Sequence, residues 1–410
     1  MNNNLNQFLS FPKNFLWGVS TSPHQIEGDN HNDWSQWEKS EPRLDQLKKQ
    51  NKVTSDYLSD KAANSWELFE LDFDLVQELN CTTYRMGVEW SRLEPSEGIY
   101  DQATFEHYKK MFASLKARKI KLVLTLWHWT NPLWISENGG WANKSTINHF
   151  TRYADKCFRE FDEFVDYWVI LNEPTVHILN GYLKGNFPPN QKSIINAYKT
   201  AQNLISSQRL VYKQIHKAKP QAQVGFTTLA NFIEPARKYN LLDLTLAKVF
   251  DYIWNIYFVQ KTKNYLDFVA LDYYFHDRVT AQKPYVVNEN LSQTDMGWEI
   301  YPEGIYEVIK NFSRFDKPIY IMENGLADEK DEKREQFIKD HLAYIHKAIT
   351  DGYDVRGYFH WSLLDNFEWA EGHTAKFGLY RVDRATFART PQPSAKEYSR
   401  ICHDNGFWLV

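Results

Sequence analysis

Short runs of unbroken apolar residues alternate along the chain with longer segments whose apolar positions recur every three or four residues. The first pattern marks a strand buried on both faces, the second a helix with one face against a core. Strand-like runs fall at 16–20, 83–90, 120–129, 167–173, 224–229, 268–274, 318–323 and 355–363. Helical spacing falls at 61–79 (Trp66, Phe69, Phe73, Val76, Leu79) and at 101–118, 145–165, 193–218, 302–312 and 333–351. Residues 29–60 are polar and irregular and read as a long loop at the mouth of a site, and 181–189, rich in Gly, Asn and Pro, read as a loop before the next helix. The charge run 328–337 reads as the solvated start of the helix at 333–351. No linker or short repeat interrupts the series. Eight strands alternating with helices predict an α/β fold in which a parallel sheet closes into a (β/α)8 barrel, one domain over residues 1–410.

In such a barrel the site lies at the C-terminal strand ends. Polar and aromatic residues gather there: Arg85, His128, Glu173, Tyr274, Glu323 and Trp361. Two runs share one grammar. Pro318-Ile319-Tyr320-Ile321-Met322 ends in Glu323-Asn324-Gly325, and Tyr167-Trp168-Val169-Ile170-Leu171 ends in Asn172-Glu173-Pro174. A single strand-end Glu is ordinarily solvated or paired with a nearby Arg. Two of them, 323 − 173 = 150 positions apart, can meet only through the fold, and a pair of carboxyls is what glycoside hydrolysis requires. One must stay ionised, for which Arg85 and Tyr274 offer a cation and a donor; the other must hold a proton, which apolar walls and a second carboxyl favour.

Composition sharpens this. Aromatics make up 16% of the chain, with 15 Trp, more than a core needs and suited to stacking on sugar C–H faces. A net charge of −4 without a basic stripe argues against a nucleic-acid partner. No run approaches the ~20 apolar residues of a membrane span, so no membrane partner is expected. The stretch Met1 to Phe8 has neither a charged nor an apolar leader region, and Cys81, Cys157 and Cys402 are widely spaced; both suggest a cytoplasmic protein. No metal-ligand spacing and no phosphate-cradling Gly-rich loop is present, so neither a metal nor a cofactor is expected.

Nearly the whole chain resembles glycoside hydrolase family 1, the β-glucosidase/β-galactosidase family. The resemblance rests on Phe15-Leu16-Trp17-Gly18, Gln25-Ile26-Glu27-Gly28, Tyr84-Arg85, Glu89-Trp90-Ser91-Arg92 and His128-Trp129. It continues through Asn172-Glu173-Pro174, Asp272-Tyr273-Tyr274 and Glu323-Asn324-Gly325, and closes on Trp361-Ser362-Leu363-Leu364-Asp365-Asn366-Phe367-Glu368-Trp369. It implies a retaining β-glycosidase with Glu323 as nucleophile and Glu173 as acid/base. Asn172 would hold the sugar 2-hydroxyl. Gln25, His128, Trp129, Glu368 and Trp369 would bind the glycone, Trp361 would floor the ring, and Phe377 would face the 6-hydroxyl. Arg85 and Tyr274 would support the nucleophile.

The chain departs from the family at Asp272, where Asn is usual, a change expected to act on the pH profile. Leu171 and His360 replace commoner neighbours, with repacking the expected consequence. The branch that takes 6-phosphorylated sugars carries Ser, Lys and Tyr where this chain has Glu368, Thr374 and Lys376. An unphosphorylated glucoside, galactoside or fucoside, as a small glycoside or oligosaccharide, is therefore the expected substrate. A 6-phospho-β-glycosidase, a transglycosidase and a non-catalytic sugar-binding barrel are the alternatives, and oligomeric state is not readable.

Overall fold

The computed structural model describes residues 7–409. Most of the N-terminal stretch behind the leader reading lies outside them. Eight strands form a closed, all-parallel barrel in sequence order: β1 Leu16–Ser20, β2 Thr83–Gly87, β3 Lys121–Thr125, β4 Tyr167–Asn172, β5 Gln223–Leu229, β6 Val269–Asp272, β7 Ile319–Asn324 and β8 Val355–Trp361. Closure is made by β8 on β1, in register from Gly357 opposite Leu16 to Trp361 opposite Ser20. The barrel agrees with the fold read from the sequence.

Alternation along each strand separates two cores. Leu16, Val123, Val169, Phe268, Ala270, Tyr320, Met322 and Phe359 fill the barrel. Their neighbours, such as Trp168, Ile170, Leu271 and Ile321, face the helices and join a far larger core. The interior rings need space on adjacent strands. A Cβ on Gly225 would stand 2.5 Å from the Phe268 ring, so only Gly admits that ring.

Helices return the chain from each strand end: α1 Ser65–Glu78, α2 Gln102–Ala117, α3 Thr146–Phe161, α4 Ile194–Ala218, α5 Leu241–Asp251, α6 Glu303–Phe312, α7 Arg334–Thr350 and α8 Pro393–Asp404. The α5 segment continues helically through Tyr252–Ile256 and Tyr257–Thr262. Caps fix several starts. Asp101 accepts from the N–H of Ala103 at 3.0 Å, and Asn240 from those of Leu242 and Asp243 at 3.1 Å. No helix among the described residues is long and apolar enough to cross a membrane.

Four sequence expectations are corrected. Residues 29–60 are largely helical, with helices Asp33–Glu38 and Glu41–Lys49 and a 3-10 turn Thr54–Tyr57. They are too short for periodicity to reveal. A capping box, in which Asn32 and Ser35 exchange side chain-to-backbone bonds, specifies the first, and Pro42 in the first turn specifies the second. The 181–189 loop begins inside a π-helical turn, Ile178–Lys184, which ends at Gly185 in the left-handed region (φ 69). Between β5 and β6, where no element was read, lie α5 and a strand Phe232–Pro235 that pairs with His276–Val279. The 328–337 run is not merely a solvated helix start. Arg334 is fully buried and paired with Asp331, which also accepts from Ser394 N at 2.8 Å and Ser394 Oγ at 2.7 Å. That network ties the chain after β7 to α8.

Candidate active site

The strands β2, β4 and β7 bring Arg85, Asn172 and Glu323 together at one end of the barrel. Arg85 is wholly buried; it donates from Nη1 to Glu323 Oε1 and from Nη2 to Asn172 Oδ1. Just beyond β6, Tyr274 donates to the other oxygen, Glu323 Oε2, at 3.0 Å. Glu323 thus has a cation on one oxygen and a hydroxyl on the other. Burial raises its pKa above the ordinary carboxyl value, and Arg85 and then Tyr274 offset part of that rise.

Asn172 is fixed by three neighbours. Its Oδ1 also accepts from Thr227 Oγ1 at 2.8 Å, so Nδ2 is the side that meets His128 Nε2 at 3.0 Å. The His128 nitrogen must then accept, which puts the ring proton on Nδ1. Burial, with Arg85 and His24 nearby, holds this imidazole neutral well below its usual range. Its Nδ1 has no partner in the protein.

Glu173 follows directly. Its backbone is left-handed (φ 40, ψ 59), pinned by its N–H donating to Thr227 O at 3.0 Å and by Pro174 opening a short helical turn. Such strain is uncommon for Glu and clusters at functional sites. Its side chain is 5% exposed, and Oε1 has no protein partner. Asp272, at the end of β6, is wholly buried with neither oxygen partnered. One oxygen from each of Glu173, Asp272 and Glu323 lies within 4.8 Å of the others. Burial, then the charges of Asp272 and Glu323, push Glu173 well above the usual carboxyl range. Asp272 is raised by burial and then by Glu323. The three acids therefore share protons around one guanidinium.

This trio is also the one set among the described residues spaced to hold a metal ion, although the sequence offers no ligand motif for it. The Arg85 guanidinium already supplies a positive charge there.

Aromatic rings wall the cavity above the acids. Trp369 stacks on His128 (5.7 Å, 23°) and on His24 (5.6 Å, 15°), and packs on Trp129 at 4.7 Å and Trp34 at 4.6 Å. Trp361 ends β8, buried, 6.3 Å from the His128 ring. Phe377 lies against Tyr274 at 6.4 Å and Trp298 at 6.1 Å. Opposite, Gln25 Nε2 donates to Asn366 Oδ1 at 3.0 Å and reaches Glu368 Oε2 at 3.4 Å. Enclosure, with Glu323 nearby, pushes the Glu368 carboxyl up to about 8.

Contacts thus link the residues singled out from sequence: Glu323 through Arg85 and Asn172 to His128, Trp361, Trp369 and Trp129; Glu323 through Tyr274 to Phe377; and Gln25 to Glu368. The indole N–H of Trp129 is taken by Asn172 O at 3.1 Å, so this ring is a wall rather than a donor. Sequence reasoning passed over Thr227, Trp34 and Trp298. Thr227 belongs to a polar Thr pair ending an otherwise apolar strand, and Trp298 is a lone Trp in a polar loop, so both carried a signal.

A closed parallel barrel with paired carboxyls at its strand ends and an aromatic-walled cleft is the architecture of a glycoside hydrolase. Glycosyl hydrolase family 1 matches residues 7–265 and 260–407. A 1,4-beta-D-glucan glucohydrolase of Thermotoga neapolitana is 31% identical, over 97% of this chain and 99% of its own. A beta-galactosidase of Pyrococcus woesei is 29% identical, over 97% and 98%. Among solved structures, a beta-glycosidase from Pyrococcus horikoshii superposes with a TM-score of 0.89 at 35% identity, covering 98% of this chain and 97% of that one. The Thermotoga maritima beta-glucosidase in complex with glucoimidazole gives 0.90 at 28% identity, over 97% and 100%. The chain belongs to glycosyl hydrolase family 1 and is a glycoside hydrolase of the β-glucosidase/β-galactosidase kind.

Proposed function

We propose that the protein is a retaining β-glycosidase acting on unphosphorylated β-D-glycosides, with Glu323 as nucleophile and Glu173 as acid/base. One observation carries this reading: one oxygen from each of the two carboxyls lies within 4.8 Å of the other, while Arg85 and Tyr274 bond to Glu323 and not to Glu173. Retaining enzymes hold their carboxyls about 5–5.5 Å apart, and inverting ones about 6.5–9.5 Å to admit water.

In the first step a Glu323 oxygen bonds to the anomeric carbon as the glycosidic C–O bond breaks, and Glu173 gives its proton to the departing oxygen. Once Glu323 is esterified its charge is gone, so one of the charges holding the Glu173 proton disappears. Glu173 can then take a proton from water, whose oxygen attacks the anomeric carbon and releases Glu323. Asn172, oriented by Arg85 and Thr227, presents Nδ2 to the sugar 2-hydroxyl. His128 Nδ1–H, Gln25 and Glu368 meet the other hydroxyls. Trp361 floors the ring, with Trp369, Trp129 and Phe377 walling it. The chemistry calls for no cofactor.

Glu368 sets a carboxyl where the phosphate-taking branch has Ser; it hydrogen-bonds sugar hydroxyls and, once ionised above about pH 8, repels a 6-phosphate. Lys376 lies near Asp365, whose pKa burial raises and the lysine charge lowers. Relatives named beta-glucosidase and beta-galactosidase support glucose and galactose as glycones. We read residues 1–410 as one hydrolase unit. A cytoplasmic location is supported by three buried, free thiols.

The test is hydrolysis of p-nitrophenyl β-glucoside, β-galactoside, β-fucoside and β-glucoside 6-phosphate, following the first-released anomer by NMR. An unphosphorylated glycoside should turn over with the β anomer first. Turnover of the phosphate alone refutes the substrate class, and the α anomer first refutes the mechanism.

A further inference from the structure

A group of exposed apolar side chains lies on the tips of α4 and α5. Ile194, Ile195 and Tyr198 are 80%, 69% and 64% exposed at the start of α4. Tyr239, Leu241 and Leu242 are 89%, 79% and 68% exposed at the start of α5, and Tyr252 and Ile253 are exposed along its continuation. These form one face. Gln202 on α4 donates to Tyr257 OH at 3.0 Å, and Arg209 Nε to Lys261 O at 3.0 Å, so the two helical segments run side by side in the same direction. One turn before those contacts stand Tyr198 and Ile253. Both helices return from strand ends, so their N-terminal tips lie on the side of the barrel that carries the active site. Contiguous exposed apolar area of this kind marks a contact surface rather than scattered surface residues.

The charge of this face is the second observation. Between Glu173 and Glu234 the sequence has no Asp or Glu, and three of its seven Lys or Arg (Lys184, Lys192 and Lys199) fall at the α4 tip, in a chain whose net charge is −4. Lys184, Lys192 and Lys199 border the α4 tip, and Lys238 and Lys248 the α5 tip. The acids nearby are already engaged. Arg237 pairs with Asp243 at 2.7 Å, and Asp251 accepts from Asn255 at 2.7 Å and Asn311 at 3.0 Å. Beside α5 a groove of about 430 Å³ is lined by Phe232, Ile233, Leu244, Val308 and Lys248, with Lys310 paired to Glu307 at 3.2 Å. A two-fold contact between copies would set these lysines against one another, because a symmetric interface pairs a patch with itself.

We propose that this face docks on an anionic lipid bilayer. The aliphatic tips of α4 and α5 enter the interfacial layer, and the lysines meet lipid phosphates. Attachment is peripheral, in keeping with the lack of a spanning helix.

Co-sedimentation with vesicles of mixed phosphatidylglycerol and phosphatidylcholine, against pure phosphatidylcholine, tests this. The full-length protein should pellet with the anionic vesicles and be released by high salt. Lys238→Glu with Lys248→Glu should weaken binding by about fivefold or more per lysine. Ile194→Asp with Leu241→Asp and Leu242→Asp should weaken it more than about thirtyfold. All three positions are exposed, so turnover of a soluble aryl glycoside should stay at the wild-type level and certify the fold. Failure to pellet with anionic vesicles, or pelleting of the triple variant equal to wild type, overturns the proposal. So does a doubled solution mass that the triple variant abolishes without any lipid binding, which would assign the face to a second copy.

Discussion

Replacing Tyr274 by Phe removes one atom, the hydroxyl that donates to Glu323 Oε2 at 3.0 Å, and leaves Arg85 on the other oxygen. A hydrogen bond to a charged group contributes about 1.5–3 kcal/mol. At about 1.36 kcal/mol per decade of rate, the step that needs this bond should slow about ten- to a hundredfold. That step is the second one. As the glycosyl ester breaks, Glu323 regains its negative charge, and the Tyr274 hydroxyl is positioned to receive it. In the first step the same bond is strongest before reaction, so its loss costs less. The intermediate should accumulate, and a stopped-flow trace with an aryl glucoside bearing a good leaving group should show a burst of phenol that wild type shows weakly. The pH profile moves too. Tyr274 favours the ionised form of Glu323 and lowers its pKa, so its removal raises that pKa. Glu323 must be ionised to react, hence the acidic limb of kcat/KM shifts to higher pH. A rate within twofold of wild type, no burst and an unmoved acidic limb would together refute the placement of this hydroxyl on the nucleophile.

Three further outcomes are expected. Asp272→Asn removes a charge that, after burial, is the largest influence raising Glu173; Glu173 reacts protonated, so the basic limb of kcat/KM should move to lower pH, and an unmoved limb would mean that Asp272 keeps its own proton throughout. Glu368→Ser removes the carboxyl beside Gln25, and kcat/KM for the unphosphorylated glucoside should fall about ten- to a hundredfold while that for the 6-phosphate rises; a parallel fall for both would count against the role given to Glu368. Asp331→Ala leaves the Arg334 guanidinium buried without its partner, which should cost about 3–5 kcal/mol in a denaturant titration with glycone preference unchanged.

The barrel strands were legible because each is buried on both faces and so reads as an apolar run. Residues 16–20 were assigned in full and the others to within a few positions of their ends. The helices α1, α2, α3, α4, α6 and α7 were legible because one face of each meets the large core. The helices of 33–49 were not, since caps and a proline set them rather than periodicity. The segment from 232 to 262 escaped for another reason: Leu241, Leu242, Val249 and Ile253 point outward while Trp254, Ile256, Phe258 and Val259 are buried, across a π-helical turn that breaks the helical spacing. In the site, strand-end position picked out Glu173, Glu323, Arg85 and Tyr274. The carboxyl separation was beyond sequence, because it depends on how strands 150 positions apart align across the barrel. Thr227, which fixes Asn172, was marked only by the polar Thr pair near the end of a strand otherwise made for packing. The buried Asp331–Arg334 pair was hidden in a run whose composition reads as solvated.

The central claim is the division of roles between two glutamates, and one measurement separates them. Glu323→Ala, supplied with an activated aryl β-glucoside and azide, should recover turnover and yield the α-glycosyl azide, identified by its anomeric proton in NMR, because azide enters from the face that Glu323 has left. A β-glycosyl azide from this variant would mean that the nucleophile is still in place and that Glu323 is not it.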